Sequence, residues 1–266
     1  MATTLPFDAP TTLLACAVGG FAFFASCTYV CKTLLTSLAT DRRPFTASCI
    51  TAFFNAAFVS PLSAYAAWIF LNTPAALNLE CAPGVQNLIT TPSSAHGIIA
   101  VGLTCGYFVA DTMMLVLDPA QMKKDLGGTT QYMIMWMHHV VSLIVWPYSM
   151  LGGKAVFFVL YYMVTEVTNV GQNLYLILRE YKSSLEMPVG VAWIASFFIV
   201  RVLPVPVLLY VYAKMFWLQS STACGLPTPD LVLGMLTVPI PIGLNLMWFR
   251  MMVKKVQRMM AKLGKQ

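Results

Sequence analysis

Residues 96–151 read HGIIAVGLTCGYFVADTMMLVLDPAQMKKDLGGTTQYMIMWMHHVVSLIVWPYSML. Two apolar runs, 96–117 and 130–151, flank a short interruption. Each is long enough for a membrane helix, which needs about 20 apolar residues at about 1.5 Å of rise per residue. The interruption holds Asp118-Pro119, Lys123-Lys124 and Gly127-Gly128, the breakers and basic groups of an interfacial loop. The runs are not uniformly apolar, because they carry Asp111, His138 and His139. A charge at the middle of a membrane helix costs about 2.5–3.5 kcal/mol on insertion scales, so such positions need a reason.

The same pattern extends in both directions. Apolar stretches at 11–38, 44–72, 154–178, 189–217 and 229–252 join the two above. They are separated by breakers such as Thr40-Asp41-Arg42-Arg43-Pro44, Gly152-Gly153, Met187-Pro188 and Gly225-Leu226-Pro227. Of 266 residues 58% are hydrophobic and only 10% charged, and mean hydropathy is +0.73. A soluble chain of this size has too little polar surface for that composition. Disorder, a collagen-like fibre and a disulfide scaffold are excluded by the same figures, and the lack of alternating short strands excludes a β-barrel. The expectation is an all-α integral membrane protein, a bundle of about seven transmembrane helices. Residues 1–43 form an N-terminal segment with the first helix, 44–252 the main bundle, and 253–266 a basic amphipathic tail.

Basic residues give an orientation. Lys32, Arg42 and Arg43 surround the first loop, Lys123 and Lys124 lie in the third, and Arg179 and Lys182 in the fifth. Lys254, Lys255, Arg258, Lys262 and Lys265 follow the last span, whereas loops 73–95 and 219–228 have no Lys or Arg. An exoplasmic N-terminus and a cytosolic C-terminus satisfy this alternation. No Lys or Arg precedes Lys32, so the first helix is expected to insert directly and stay. The tail places Met252, Val256, Met259, Met260 and Leu263 among its basic residues, the pattern of an anchor on anionic lipid. Cys81 and Cys224 both fall in exoplasmic loops, where a disulfide between them is chemically open.

Few polar groups lie inside the spans. They are Asp111, His138, His139, Glu166 and Arg201, with Asn169, Asn173, Asn245 and Ser142. Helical rise puts Asp111, Asn173 and Asn245 about 8–10 Å from the cytosolic boundary, the histidines about 12–14 Å, and Glu166 and Arg201 about 18 Å. Glu166, Asn169 and Asn173 share a helix face at i, i+3 and i+7, and His138 and Ser142 are at i, i+4. Two readings stand. In one the groups are interhelical glue, with Arg201 paired to Glu166 or Asp111. In the other they line a polar pocket where a carboxylate orients an imidazole that moves a proton or attacks a carbonyl. Adjacent histidines and the absence of HExxH or a cysteine pair leave no metal site.

The ordered set Gly106-Tyr107-Phe108-Val109-Ala110-Asp111, Met137-His138-His139-Val140-Val141-Ser142, Glu166 with Asn173, Phe197-Phe198-Ile199-Val200-Arg201 and Asn245-Leu246-Met247-Trp248-Phe249 resembles the TLC-domain family. That family includes ceramide synthases, translocon-associated TRAM proteins and TLCD-type proteins, and the likeness covers about residues 40–255. It implies a helical membrane bundle and a role in lipid chemistry. In ceramide synthases the paired histidines and following acidic residues serve N-acylation of a sphingoid base from acyl-CoA, and His138 and His139 match that pair. Glu166-Val167-Thr168-Asn169 departs from the family's Asp-x-x-Asp, and the homeobox-like insertion of many ceramide synthases is absent. The nearer resemblance is to the TLCD-type group.

The leading expectation is an endomembrane protein, in the endoplasmic reticulum or a related organelle, that binds a lipid or acyl chain and serves lipid homeostasis. In an acyltransferase version His138 or His139 is base or acyl acceptor, with Asp111 and Glu166 as the acidic partners. Arg201, Asn169, Asn173, Asn245 and Ser142 then contact the substrate. Acyl-CoA enters as co-substrate, with no bound cofactor or metal. Membrane lipids are the partners, with a homo-oligomer or a larger membrane complex possible and no nucleic acid. The rival is a non-catalytic accessory subunit of a membrane complex. A retinal protein would need a lysine inside the last span, and none is there; broken transporter-type helices are not expected, although Pro204, Pro206, Pro239 and Pro241 can kink the last two spans.

Overall fold

The computed structural model describes residues 8–82, 84–219 and 224–263, and these are all helix, turn or loop. Helix α1 (Ala9–Leu34) starts where the Asp8 carboxylate accepts from Thr11 N at 3.0 Å. Then come α2 (Arg43–Leu71), α3 (Ala95–Leu117), a short α4 (Pro119–Leu126) and α5 (Thr129–Gly152). The remaining elements are α6 (Val156–Thr165), α7 (Val167–Glu180), α8 (Glu186–Phe197), α9 (Val205–Phe216), α10 (Thr228–Thr237) and α11 (Pro239–Leu263). A π-helical turn, Phe198–Val202, joins α8 to α9. Six helical stretches are long and apolar enough to cross a membrane. The stretch expected at 154–178 is present as α6 and α7, interrupted at Glu166, and both pieces pack along α2. The chain is a multi-pass integral membrane protein.

Kinks were open at the prolines of the last two spans, and breaks occur beside them and also at Glu166. Three spans are interrupted: at Glu166, at the π-turn, and at Val238 between α10 and α11. Hydrocarbon offers no water to a freed carbonyl, so each break needs an internal donor. Pro204 has no N–H for the Val200 carbonyl, which accepts from Tyr161 Oη at 2.8 Å instead. Pro239 likewise deprives Met235, whose carbonyl accepts from Tyr212 Oη at 2.7 Å.

Lipid tails are as apolar as leucine, so helices must associate through close packing. The α1–α3 seam shows it. A Cβ on Gly102 would stand 2.6 Å from Cys16 Cβ, and one on Gly106 2.4 Å from Phe21 N. Only glycine permits this approach, so Gly102 and Gly106 fix α3 against α1. Phe108, Phe158, Leu160, Met163 and Met215 fill the interior between α3, α6 and α9.

The two ends of the bundle differ in chemistry. At the basic end Arg42 bridges Asp125 and Glu180, with NH2 2.5 Å from Glu180 Oε1, tying the α1–α2 loop to α4 and α7. At the other end Cys81 and Cys224 are disulfide-bonded. Gln219 Nε2 donates to Leu79 O at 2.7 Å there, and Asn87 Nδ2 to Cys224 O at 3.3 Å. Lys154 Nζ lies 2.6 Å from Asp230 Oδ2, and that hydrogen bond holds the ammonium above its usual range. Within the tail, α11 is helical to Leu263; Lys265 and the side chains of Met259, Lys262 and Leu263 lie outside the described residues.

The bridge gives a direct count. Denatured, unreduced protein should take five maleimide labels, matching its five free cysteines. Reduction should raise that to seven, the full cysteine content. Seven labels before reduction would refute the bond.

Candidate functional site

Toward the basic end a cavity of about 300 Å³ opens between α3, α5, α7, α8 and α11. Its wall carries Asp111, His138, His139, Glu166, Asn169, Asn173 and Arg201, together with Gln131, Gln172 and Trp193. Seven of the nine polar residues singled out in the sequence therefore meet in one chamber.

Arg201 organises one side of it. The residue is 6% exposed, and its guanidinium is surrounded by acceptors. Nε donates to Thr168 Oγ1 at 2.7 Å, and NH2 to Thr165 O at 2.9 Å. NH1 donates to Asn245 Oδ1 at 3.2 Å, and NH2 also reaches Asn169 Oδ1 at 3.2 Å. Glu166 Oε1 lies 3.5 Å from NH2, and the Phe197 ring sits 5.2 Å from the guanidinium carbon. The break in the helix is what supplies these acceptors. Asn169 N donates to Glu166 O at 2.8 Å, an i→i−3 turn, and the Thr165 carbonyl is left to face Arg201. Asn169 Nδ2 then donates to Glu166 Oε2 at 2.6 Å, so the carboxylate is held by two neighbours.

The opposite side is built on α3 and α5. His139, 2% exposed, lies 3.1 Å from Thr112 Oγ1 through Nδ1 and 3.7 Å from Asp111 Oδ2 through Nε2. The second distance is too long for a hydrogen bond but short for an electrostatic contact. Phe108 stacks on the imidazole at 4.8 Å and 23°, which locks its plane. Ser48 Oγ donates to Asp111 Oδ1 at 2.7 Å and fixes the carboxylate from α2. His138 behaves differently. Its ring is steered by Phe108 at 5.4 Å and Trp146 at 6.5 Å. Among the described residues no hydrogen-bond partner meets either of its ring nitrogens. It lines the chamber and also a second cavity.

That second cavity is an apolar slot of about 140 Å³ between α5, α6, α10 and α11. It runs from Ile134 and His138 past Ser142, Val145 and Trp146 to Tyr148, Lys154 and Asp230 at the bridged end. Ser142 faces this slot rather than the chamber, and Asn245 stands behind Arg201 rather than on the chamber wall. Among the described residues no three His, Cys, Asp or Glu side chains converge as metal ligands.

Ser48, Thr112, Thr165 and Thr168 hold the charged groups in place and were not singled out from the sequence. Hydroxyl residues are common in membrane helices and carry no distinguishing pattern. The one available signal was local: Thr165 and Thr168 flank Glu166.

Comparison with known proteins gives one family. The model of the TLC domain, covering TRAM, LAG1 and CLN8 proteins, matches residues 46–254. No curated protein matches the chain.

The Arg201 network predicts a stability cost. Arg201→Ala leaves Glu166 buried without its cation and should destabilise the protein by about 3–5 kcal/mol. Replacing both, Glu166→Gln with Arg201→Met, should recover much of that loss. Thermal melts in detergent check it; equal losses for the single and double variants would show that the pair does not act as a unit.

Proposed function

This chain belongs to the TLC domain family, and we propose that its bundle holds one long-chain lipid for membrane lipid homeostasis. The hydrocarbon tail lies in the α5–α10 slot and the polar head in the chamber. The observation that carries this reading is His138, an imidazole without a hydrogen-bond partner among the described residues where an apolar slot meets a polar chamber. From His138 to Ser149 the slot follows α5 for about 16 Å at 1.5 Å per residue. An extended chain advances roughly 1.2 Å per atom, so about 13 carbons fill that length.

The chemistry best matched to this arrangement is acyl transfer from acyl-CoA to a lipid amine. His138 takes the proton of the amine as its nitrogen attacks the thioester carbonyl. The C–N bond forms, the C–S bond breaks, and the thiolate leaves to be protonated as CoA. His139, fixed by Thr112 and Phe108, and Asp111, fixed by Ser48, shape the chamber beside the reacting atoms. Arg201 acts through Glu166 and Asn169 as a positioning group. The site of action is an endomembrane such as the endoplasmic reticulum, with the chamber toward the cytosol, in keeping with the positive charge around that end.

A second reading has its own support. The Arg201 half of the cluster is closed by its own bonds, as a non-catalytic carrier or accessory subunit requires. Incubation of purified protein with labelled acyl-CoA and long-chain amines separates the two. His138→Ala should lower turnover by about 10²-fold or more, the usual contribution of a general base. No turnover with lipid still bound leaves the carrier; a stable complex with other proteins in mild detergent favours the subunit. Independently, Thr237→Trp, which fills the slot, should strip co-purified lipid seen by native mass spectrometry. Unchanged lipid in that variant would refute the slot as the chain's location.

A further inference from the structure

Helix α10 is the least integrated part of the slot. It is ten residues long and packs mainly on α9 and α11. Its contact with α9 is smooth, because Phe216 lies over bare backbone at Gly234, where a Cβ would stand 2.3 Å from the ring. At one end the chain passes through Val238 into Pro239 and Pro241, which lack the N–H groups that would make α10 and α11 one stiff rod. The tyrosines that hold this region, Tyr212 on Met235 O and Tyr162 on Val238 O, grip only the proline end.

The opposite end is held by charge. Among the described residues the hydrogen bond that joins α5 directly to α10 runs from Tyr148 Oη to Asp230. Lys154, from the turn after α5, pairs with the same carboxylate at 2.6 Å and also donates to Tyr148 Oη at 3.3 Å. The Asp230 side chain is only 5% exposed, so one carboxylate closes the slot across its width. Four residues before α10, the Cys81–Cys224 bond tethers the chain and limits how far this end can travel.

We infer that α10 is a hinged lateral gate, pivoting at Val238–Pro239, through which a lipid chain enters the slot from the surrounding bilayer, with the Asp230–Lys154–Tyr148 cluster as its latch. The inference rests on the slot being the seat of a lipid chain. Opening breaks the ties of one carboxylate and disturbs neither the chamber nor the α1–α3 seam. The disulfide keeps the moving end attached, so the motion is a swing rather than an unravelling.

The test uses the full chain in phosphatidylcholine vesicles, mixed with donor vesicles carrying diazirine-tagged hexadecylamine and flashed at increasing times. Asp230→Asn should load about ten- to a hundredfold faster than the natural protein, the factor that losing one charge-assisted hydrogen bond gives, and reach the same final labelling. Tyr148→Phe, which removes one tie without changing charge, should fall between. The exchange Asp230→Lys with Lys154→Asp should return the rate toward its original value. Labelled peptides should map to α5, α6, α10 or α11. Equal loading rates at equal final labelling would overturn the gate and leave the lipid site standing. Rates that merely follow melting temperature would also overturn it. Absence of labelling in every form would remove the slot as a lipid site and the gate with it.

Discussion

A guanidinium deep in hydrocarbon has to be given acceptors by the protein, since the bilayer supplies none. Arg201 meets that demand with a carboxylate, two side-chain amides, a hydroxyl and a backbone carbonyl drawn from three helical segments. The carbonyl, on Thr165, is available because the helix shortens its turn at Glu166. The π-turn carrying Arg201 and the kink carrying Glu166 are thus two halves of one solution. Without the cation, the carboxylate and the kink both lack a reason; without the kink, the cation is short of acceptors.

The division of labour among the other polar groups follows. His139 and Asp111 are held by Thr112, Phe108 and Ser48, so their positions are set before any ligand arrives. His138, one residue away and turned by about 100°, touches Phe108 but takes no hydrogen bond from Thr112 or Ser48, and it meets both cavities. A rigid neighbour and an uncommitted one are what a binding or reacting site needs. The backbone follows the same economy at two of its prolines: the carbonyls freed by Pro204 and Pro239 are each taken by a tyrosine hydroxyl.

Much of this was legible in the sequence. Length and hydropathy give the spans, and the rarity of Asp111, His138, His139, Glu166 and Arg201 in apolar surroundings marks the chamber. The spacing of Glu166, Asn169 and Asn173 gives their common face. The break at Glu166 was hidden, because neither proline nor glycine marks it and its cause is a side chain 35 positions further along the chain. The same holds for Ser48, whose role depends on α2 lying beside α3. The slot was hidden too, since an apolar wall facing a void and one facing lipid have the same composition. Ser142 and Asn245 are buried, but which cavity a buried side chain faces is a matter of helix rotation that periodicity leaves open.

The glycine seam between α1 and α3 reaches beyond the packing of two helices. The family match begins at residue 46, after α1 has ended. Yet α1 covers the bare backbone at Gly102 and Gly106, about two and a half turns and one and a half turns before Asp111. The boundary of the matched region and the physical one therefore do not coincide. A fragment cut to the matched region would expose a groove along the back of the helix that aims the chamber's acid, and lipid would have to take the place of a peptide ridge shaped to fit it.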